Sequence, residues 1–200
     1  MKTLFLSATL MCGLTGFGAT SAQADEIRPG VMIHDSKLFD GVFGGLHGKE
    51  QSISVTGEYI FKSPDWLSWA YSPKPFVGGS LNLGGQTSFG GAGLLWRHDF
   101  QNRYYADLGF GLVVHNGVIR TPDPLLSTDL AEVLLLLRRK ITEIEFGARY
   151  LFRTQFAFGY RFNEKWAGEI AYEHLSHGQI LGGPENEGLN NIGFRVARRF

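Results

Sequence analysis

One cysteine, Cys12, occurs in 200 residues, so no disulfide can form within the chain. That excludes the small secreted domain held together by disulfides. Neither charge is in excess: 19 Lys and Arg stand against 19 Asp and Glu. The balance argues against a nucleic-acid binder, which carries a basic excess or patch. No run of 18 apolar residues follows the N-terminal segment, so no membrane-spanning helix is expected. Prolines are few, at 7, and the 27 glycines follow no G-X-Y period, which excludes collagen and Pro/Gly-type disorder. What is abundant is apolar and aromatic: 44 % hydrophobic and 14 % aromatic residues, too rich for a disordered chain. The length suits one domain, or at most two small ones.

Residues 1–24 read as a secretory signal peptide. Lys2 supplies the positive start, Leu4 to Phe17 a short apolar core, and Ala22-Gln23-Ala24 an A-x-A cleavage site before Asp25-Glu26. Cys12 lies inside this segment, and the Met11 before it does not suit lipid attachment. Cleavage after Ala24 is expected to leave an exported 25–200 domain without cysteine.

That domain reads in period two. From Ile144 to Phe162 the even positions run Ile, Phe, Ala, Tyr, Phe, Thr, Phe, Phe, Tyr, Phe, while the odd positions include Glu145, Arg149, Arg153, Gln155 and Arg161. Alternation of this kind is the signature of a strand, whose successive side chains point to opposite faces. The same pattern recurs over Tyr105–His115, Glu169–Glu173 and Ile192–Phe200. Weaker versions fit near Ile27–Asp35, Gln51–Phe61, Phe76–Leu83 and Phe89–Arg97, making eight.

The two faces decide the solvent. The small and charged face suits the narrow interior of an eight-stranded barrel, where glycine and paired ions fit. The aromatic face then meets lipid, with aromatic girdles at the strand ends and Phe200 as an aromatic terminus. Connections near 98–103 and 163–165 are short, whereas those near 115–143 and 178–189 are long, the pattern of inner turns and external loops. Lys62 to Pro75, with Trp66 and Trp69, is expected to lie at the inner interface. The fold expected is an all-β, eight-stranded antiparallel transmembrane β-barrel of the bacterial outer membrane; a soluble lipocalin-like barrel is the competing reading. Within the long loop, Leu125 to Lys140 lacks strict alternation and reads as an amphipathic segment opened by Pro124 or Ser127.

Glu169-Ile170-Ala171-Tyr172-Glu173-His174-Leu175-Ser176-His177 is the stretch where chemistry could sit. His174 and Ser176 share the outward face with Ile170 and Tyr172, where polar groups lack water partners and need a purpose. With both termini on the inner side, residues 174–177 fall near the outer leaflet. Serine becomes a nucleophile only beside a base, usually histidine, and an i, i+2 pair on a strand brings the two within reach. Glu173 points inward, where an ion pair with Arg195, Arg153 or Arg149 is expected.

Tyr172-Glu173-His174-Leu175-Ser176-His177, then Pro184-Glu185-Asn186-Glu187-Gly188-Leu189-Asn190 and a closing strand, resembles the PagL family of lipid A 3-O-deacylases. That family is an eight-stranded outer-membrane barrel with an H-x-S-N motif and a P-N-x-G-x-E stretch before the last strand. Phe152-Arg153-Thr154 is similar to its F-x-D segment. The resemblance implies a serine esterase that removes the 3-position hydroxyacyl chain from lipid A. It makes His174 the base and Ser176 the nucleophile. Asn186 falls on a loop residue that helps the oxyanion, with His177, Phe152 and Thr154 as further positioning candidates. Two positions depart from the family: His177 replaces the Asn after the serine, and Asn190 stands where the family has its third triad member, a Glu. Asn190 can orient a histidine but brings no charge; Glu187 is the alternative third member.

No cofactor is implied. The histidines show no metal-ligand spacing beyond His174/His177, so no metal site is expected. The expected partners are lipopolysaccharide and the membrane, with no nucleic acid and with a homodimer as an allowed assembly. The competing function is a small non-enzymatic barrel of structural, adhesin-like or lipopolysaccharide-binding type.

Overall fold

The computed structural model describes residues 24–37, 48–101 and 103–200. Residues 1–23, where the leader reading falls, lie outside the described residues. Eight strands follow in chain order: β1 (Ala24–His34), β2 (Ser52–Phe61), β3 (Lys74–Asn82), β4 (Phe89–Phe100), β5 (Tyr104–His115), β6 (Tyr150–Arg161), β7 (Trp166–Ser176) and β8 (Leu189–Arg199). Each pairs antiparallel with the next, and β8 returns to β1, closing the barrel. Strands of 9 to 12 residues match the length a tilted strand needs to cross a bilayer. One helix, α1 (Leu130–Thr142), stands in the β5–β6 connection.

The period-two pattern resolves as expected. Leu108, Phe110, Leu112 and Val114 of β5, Phe156 and Phe158 of β6 and Ile170 of β7 are exposed on the outer wall. Aromatic residues ring the end where β1 begins and the chain closes at Phe200: Trp66, Trp69 and Tyr71 of the β2–β3 connection, Phe100, Tyr104, Phe162, Trp166 and Phe200. An apolar band bounded by such a ring is the membrane-facing pattern. Trp96 Nε1 donates to Ala70 O at 2.9 Å and ties the β2–β3 connection to the wall.

Inside, charge is matched by charge. Arg28 meets Glu26 at 2.5 Å and Asp107 at 2.7 Å. Arg97 reaches the same two carboxylates, at 2.9 and 2.8 Å. Arg195 joins Glu58 at 3.0 Å to Glu169 at 2.9 Å. Arg153 joins Glu58 at 2.8 Å to Glu173 at 2.5 Å. These side chains are buried. A buried charge is tolerated only when it is paired and hydrogen-bonded, so every carboxylate here needs its guanidinium. Tyr105 completes the set by donating to Glu169 at 2.7 Å. Its ring lies against Gly159, the cross-strand partner, and leaves no room there for a Cβ.

The external mouth differs from the sequence expectation. The strand expected over Ile144–Phe162 begins only at Tyr150. Gly147 turns the chain with φ +72°, and Phe146 N and Gly147 N donate to Val118 O and Ile119 O. Ile144 and Phe146 therefore fold over the mouth and pack with Phe89, Val113, Leu151, Leu175 and Leu189, instead of facing lipid. Arg149 is exposed, which leaves Arg153 as the partner of Glu173. The two long loops at this end run over 116–149 and 177–188; the first ends six residues beyond the expected 115–143, and the second has the expected length, one residue earlier than 178–189. The amphipathic segment becomes a single turn at Pro124–Leu126, capped by Asp123, and then α1, capped by Asp129 rather than by Pro124 or Ser127.

Candidate active site

Strand pairing assembles the site on the outer wall at the external end. Thr154 of β6, His174 of β7 and Asn190 of β8 lie in one cross-strand row. Phe152 and Ser176 form the next row toward the mouth. All five positions share the parity of the outward face. Asn190 is buried; the other four are half-buried, at the edge where wall and loop meet.

The polar contacts fix the state of the histidine. His174 Nδ1 lies 2.7 Å from Asn190 Oδ1. The same oxygen accepts from Tyr172 Oη at 2.8 Å. A carbonyl oxygen only accepts, so Nδ1 carries a proton, and in the neutral ring the lone pair is on Nε2. Gly188, at φ +69°, passes close behind the ring: a Cβ there would meet Cε1 at 3.1 Å. The ring is thus held at one end by Asn190 and along one edge by the backbone of the β7–β8 loop.

Ser176 sits two residues further along the same face, and no hydrogen bond joins it to His174 among the described residues. The turn after it is braced. Asn186 Oδ1 accepts from His177 N at 3.1 Å, and His177 Nε2 donates to Glu185 O at 2.6 Å. His177 is fully buried, so it fastens the loop and does not face a substrate as a positioning residue. Asn186 has its oxygen engaged and keeps its donors on Nδ2.

Glu187 is drawn away from His174. Its Oε1 lies 2.5 Å from Lys49 Nζ and its Oε2 accepts from Glu145 N at 2.9 Å. With both oxygens used there, the alternative third member is not in place, and Asn190 stands at the histidine instead. Phe152 stacks on Phe110 at 5.6 Å between centroids and forms an aromatic wall beside Ser176. Sequence reasoning misses Tyr172, although its place two residues before His174 on the same face is the signal that finds it. No group of three or more His, Cys, Asp or Glu able to hold a metal occurs among the described residues.

The family model for PagL, lipid A 3-O-deacylase, matches residues 53–199, seven of the eight strands and every site residue above. The chain belongs to the PagL family. It is accordingly an outer-membrane β-barrel hydrolase that deacylates lipid A. Among solved structures, that of the outer membrane enzyme PagL is similar in fold, with a TM-score of 0.57 and 9 % identity over 88 % of this chain and 99 % of that one. Neisserial surface protein A is similar at a TM-score of 0.50, with 10 % identity over 88 % of this chain and 95 % of that one. No curated protein matches the sequence. The PagL-family match favours the deacylase over the non-enzymatic barrel.

Proposed function

We propose that this PagL-family deacylase works by a Ser176–His174–Asn190 mechanism on the 3-position acyl ester. The observation that carries the proposal is the 2.7 Å contact from His174 Nδ1 to Asn190 Oδ1, which leaves Nε2 as the proton acceptor. Ser176 Oγ attacks the ester carbonyl carbon as His174 Nε2 takes its proton. His174 then returns that proton to the sugar oxygen as the C–O bond breaks. Water, deprotonated by the same nitrogen, attacks the acyl-enzyme, releases the hydroxy fatty acid and restores Ser176. Asn186 Nδ2 supplies a donor for the oxyanion. Hydrogen bonds between nucleophile and base are often long without substrate and tighten when it arrives, so the unmade Ser176–His174 bond is compatible with the pairing.

The site's position supports the substrate. It opens on the outer wall at the external end, where an ester near the base of an acyl chain is presented by the outer leaflet. The test is covalent labelling of the purified, folded protein with an alkyl fluorophosphonate, followed by peptide mass analysis. The label is expected on Ser176 and lost in His174→Ala. Labelling that persists in Ser176→Ala, or that falls elsewhere, overturns the assignment of the nucleophile.

A further inference from the structure

The deacylase site leaves α1 without a task. Its barrel side is accounted for: Leu136 is buried, and Arg139 pairs with Glu143 at 3.2 Å beside a cavity of about 240 Å³ that also touches Glu50 and Thr87. The opposite side is not. Leu130, Leu134, Leu137 and Ile141 recur at i, i+4, i+7 and i+11, one stripe of a helix. They are 70 %, 58 %, 47 % and 72 % exposed. Leu125 and Leu126, in the turn before the helix, are exposed as well. An apolar surface of this extent outside a cell needs a cover.

We infer that α1 is an interfacial helix whose leucine stripe lies in the outer leaflet and holds its anionic saccharolipid. Two observations choose lipid as the occupant. The stripe continues an apolar surface already facing lipid, since the loop leaves from Leu112 and Val114 of β5 and returns through Tyr150 of β6, all exposed on the wall. Charge is arranged to suit phosphate: Arg138, exposed, borders the stripe on one flank and Lys140 on the other. A helix with an apolar stripe and a basic border lies in the plane of an anionic interface. The inference rests on the outer-membrane placement of the family and not on the Ser176 chemistry.

The test uses the full-length protein in vesicles of phosphatidylcholine and lipid A, with an environment-sensitive label at Leu134→Cys or, on the barrel side of the same helix, at Glu132→Cys. Nitroxide on the lipid acyl chain is expected to quench the Leu134 label and to spare the Glu132 label. A Leu134 label that a water-soluble quencher reaches as readily as the Glu132 label overturns the inference. So does protection that follows protein concentration at fixed lipid, which would make a second copy the cover. The quenching needs no turnover, so its result stands whichever residue is the nucleophile. In the same vesicles the triple variant Leu134→Ser, Leu137→Ser, Ile141→Ser is expected to raise KM for lipid A about tenfold with kcat unchanged. An unchanged KM overturns the role in holding substrate.

Discussion

Arg153 Nη1 stands 2.8 Å from Glu58 Oε1, an ion pair that crosses the barrel lumen from β6 to β2. The same guanidinium reaches Glu173 at 2.5 Å. Glu173 lies between His174 and Tyr172 in the chain but on the other face, so this ionic girder sits directly behind the row that holds His174. Removing one partner of a buried pair leaves an uncompensated charge. Arg153→Met is expected to lower stability by about 3–5 kcal/mol, with part of the loss recovered by adding Glu173→Gln. Urea unfolding of the barrel in detergent measures both; an unchanged midpoint in Arg153→Met would contradict the girder.

Asn190 offers a test of mechanism that separates orientation from charge. Asn190→Ala removes the acceptor that fixes the His174 tautomer and is expected to reduce kcat on the order of 10²-fold or more, with KM little changed. Asn190→Asp keeps the acceptor and adds the negative charge that the family's usual Glu brings. A carboxylate beside His174 favours the protonated ring. The activity of Asn190→Asp should therefore survive, and the pH at which kcat/KM rises should move upward. A purely structural Asn190 would lower activity in both variants and leave the pH profile in place.

A second polar cluster controls the loops. Glu50 accepts from Thr87 N at 3.0 Å and from Ile144 N at 3.1 Å, and lies 3.0 Å from His34 Nε2. Burial pushes its carboxyl upward, but these hydrogen bonds outweigh burial and hold it below 4.5, its ordinary value. A carboxylate depressed by folding contributes stability above its unfolded pKa and loses it as the pH falls through the lower folded value. Amide exchange at Thr87 and Ile144 should thus be well protected at pH 6 and lose protection below the ordinary carboxylate range. Glu50→Gln should show the weaker protection already at pH 6. Equal protection factors for the unmodified protein across that range would show that Glu50 does not fasten the loops.

Much of this is legible in the sequence, for a physical reason. On a barrel wall, side-chain parity alone decides lipid or lumen, so Phe156, Glu173 and Arg195 can be placed from alternation. His174 and Asn190 are brought together by the same parity plus adjacency of consecutive strands. Alternation fails where the chain leaves the wall. Ile144 and Phe146 keep the outward parity of β6, yet Gly147 at φ +72° turns them over the mouth. Leu151, Leu175 and Leu189, apolar residues at inward positions, are the signal that the lumen becomes a hydrophobic core there. The partners of Glu187 stay hidden because Lys49 and the Glu145 backbone come from two other loops, and no local pattern reports a contact between loops. The start of α1 is misplaced because several residues in a row can cap a helix, and Asp129 does so here.

The central claim, that Ser176 opens the 3-position ester of lipid A, is tested most directly by mass spectrometry of lipid A. Cells that express the unmodified chain are compared with cells that express Ser176→Ala, with barrel assembly in the outer membrane checked in both and the proteins also assayed in detergent. The account predicts loss of one hydroxyacyl chain from lipid A with the unmodified protein and an unaltered lipid A with Ser176→Ala. Equal loss of that chain with both proteins would contradict it, as would an unaltered lipid A with the folded, unmodified protein in both the membrane and detergent.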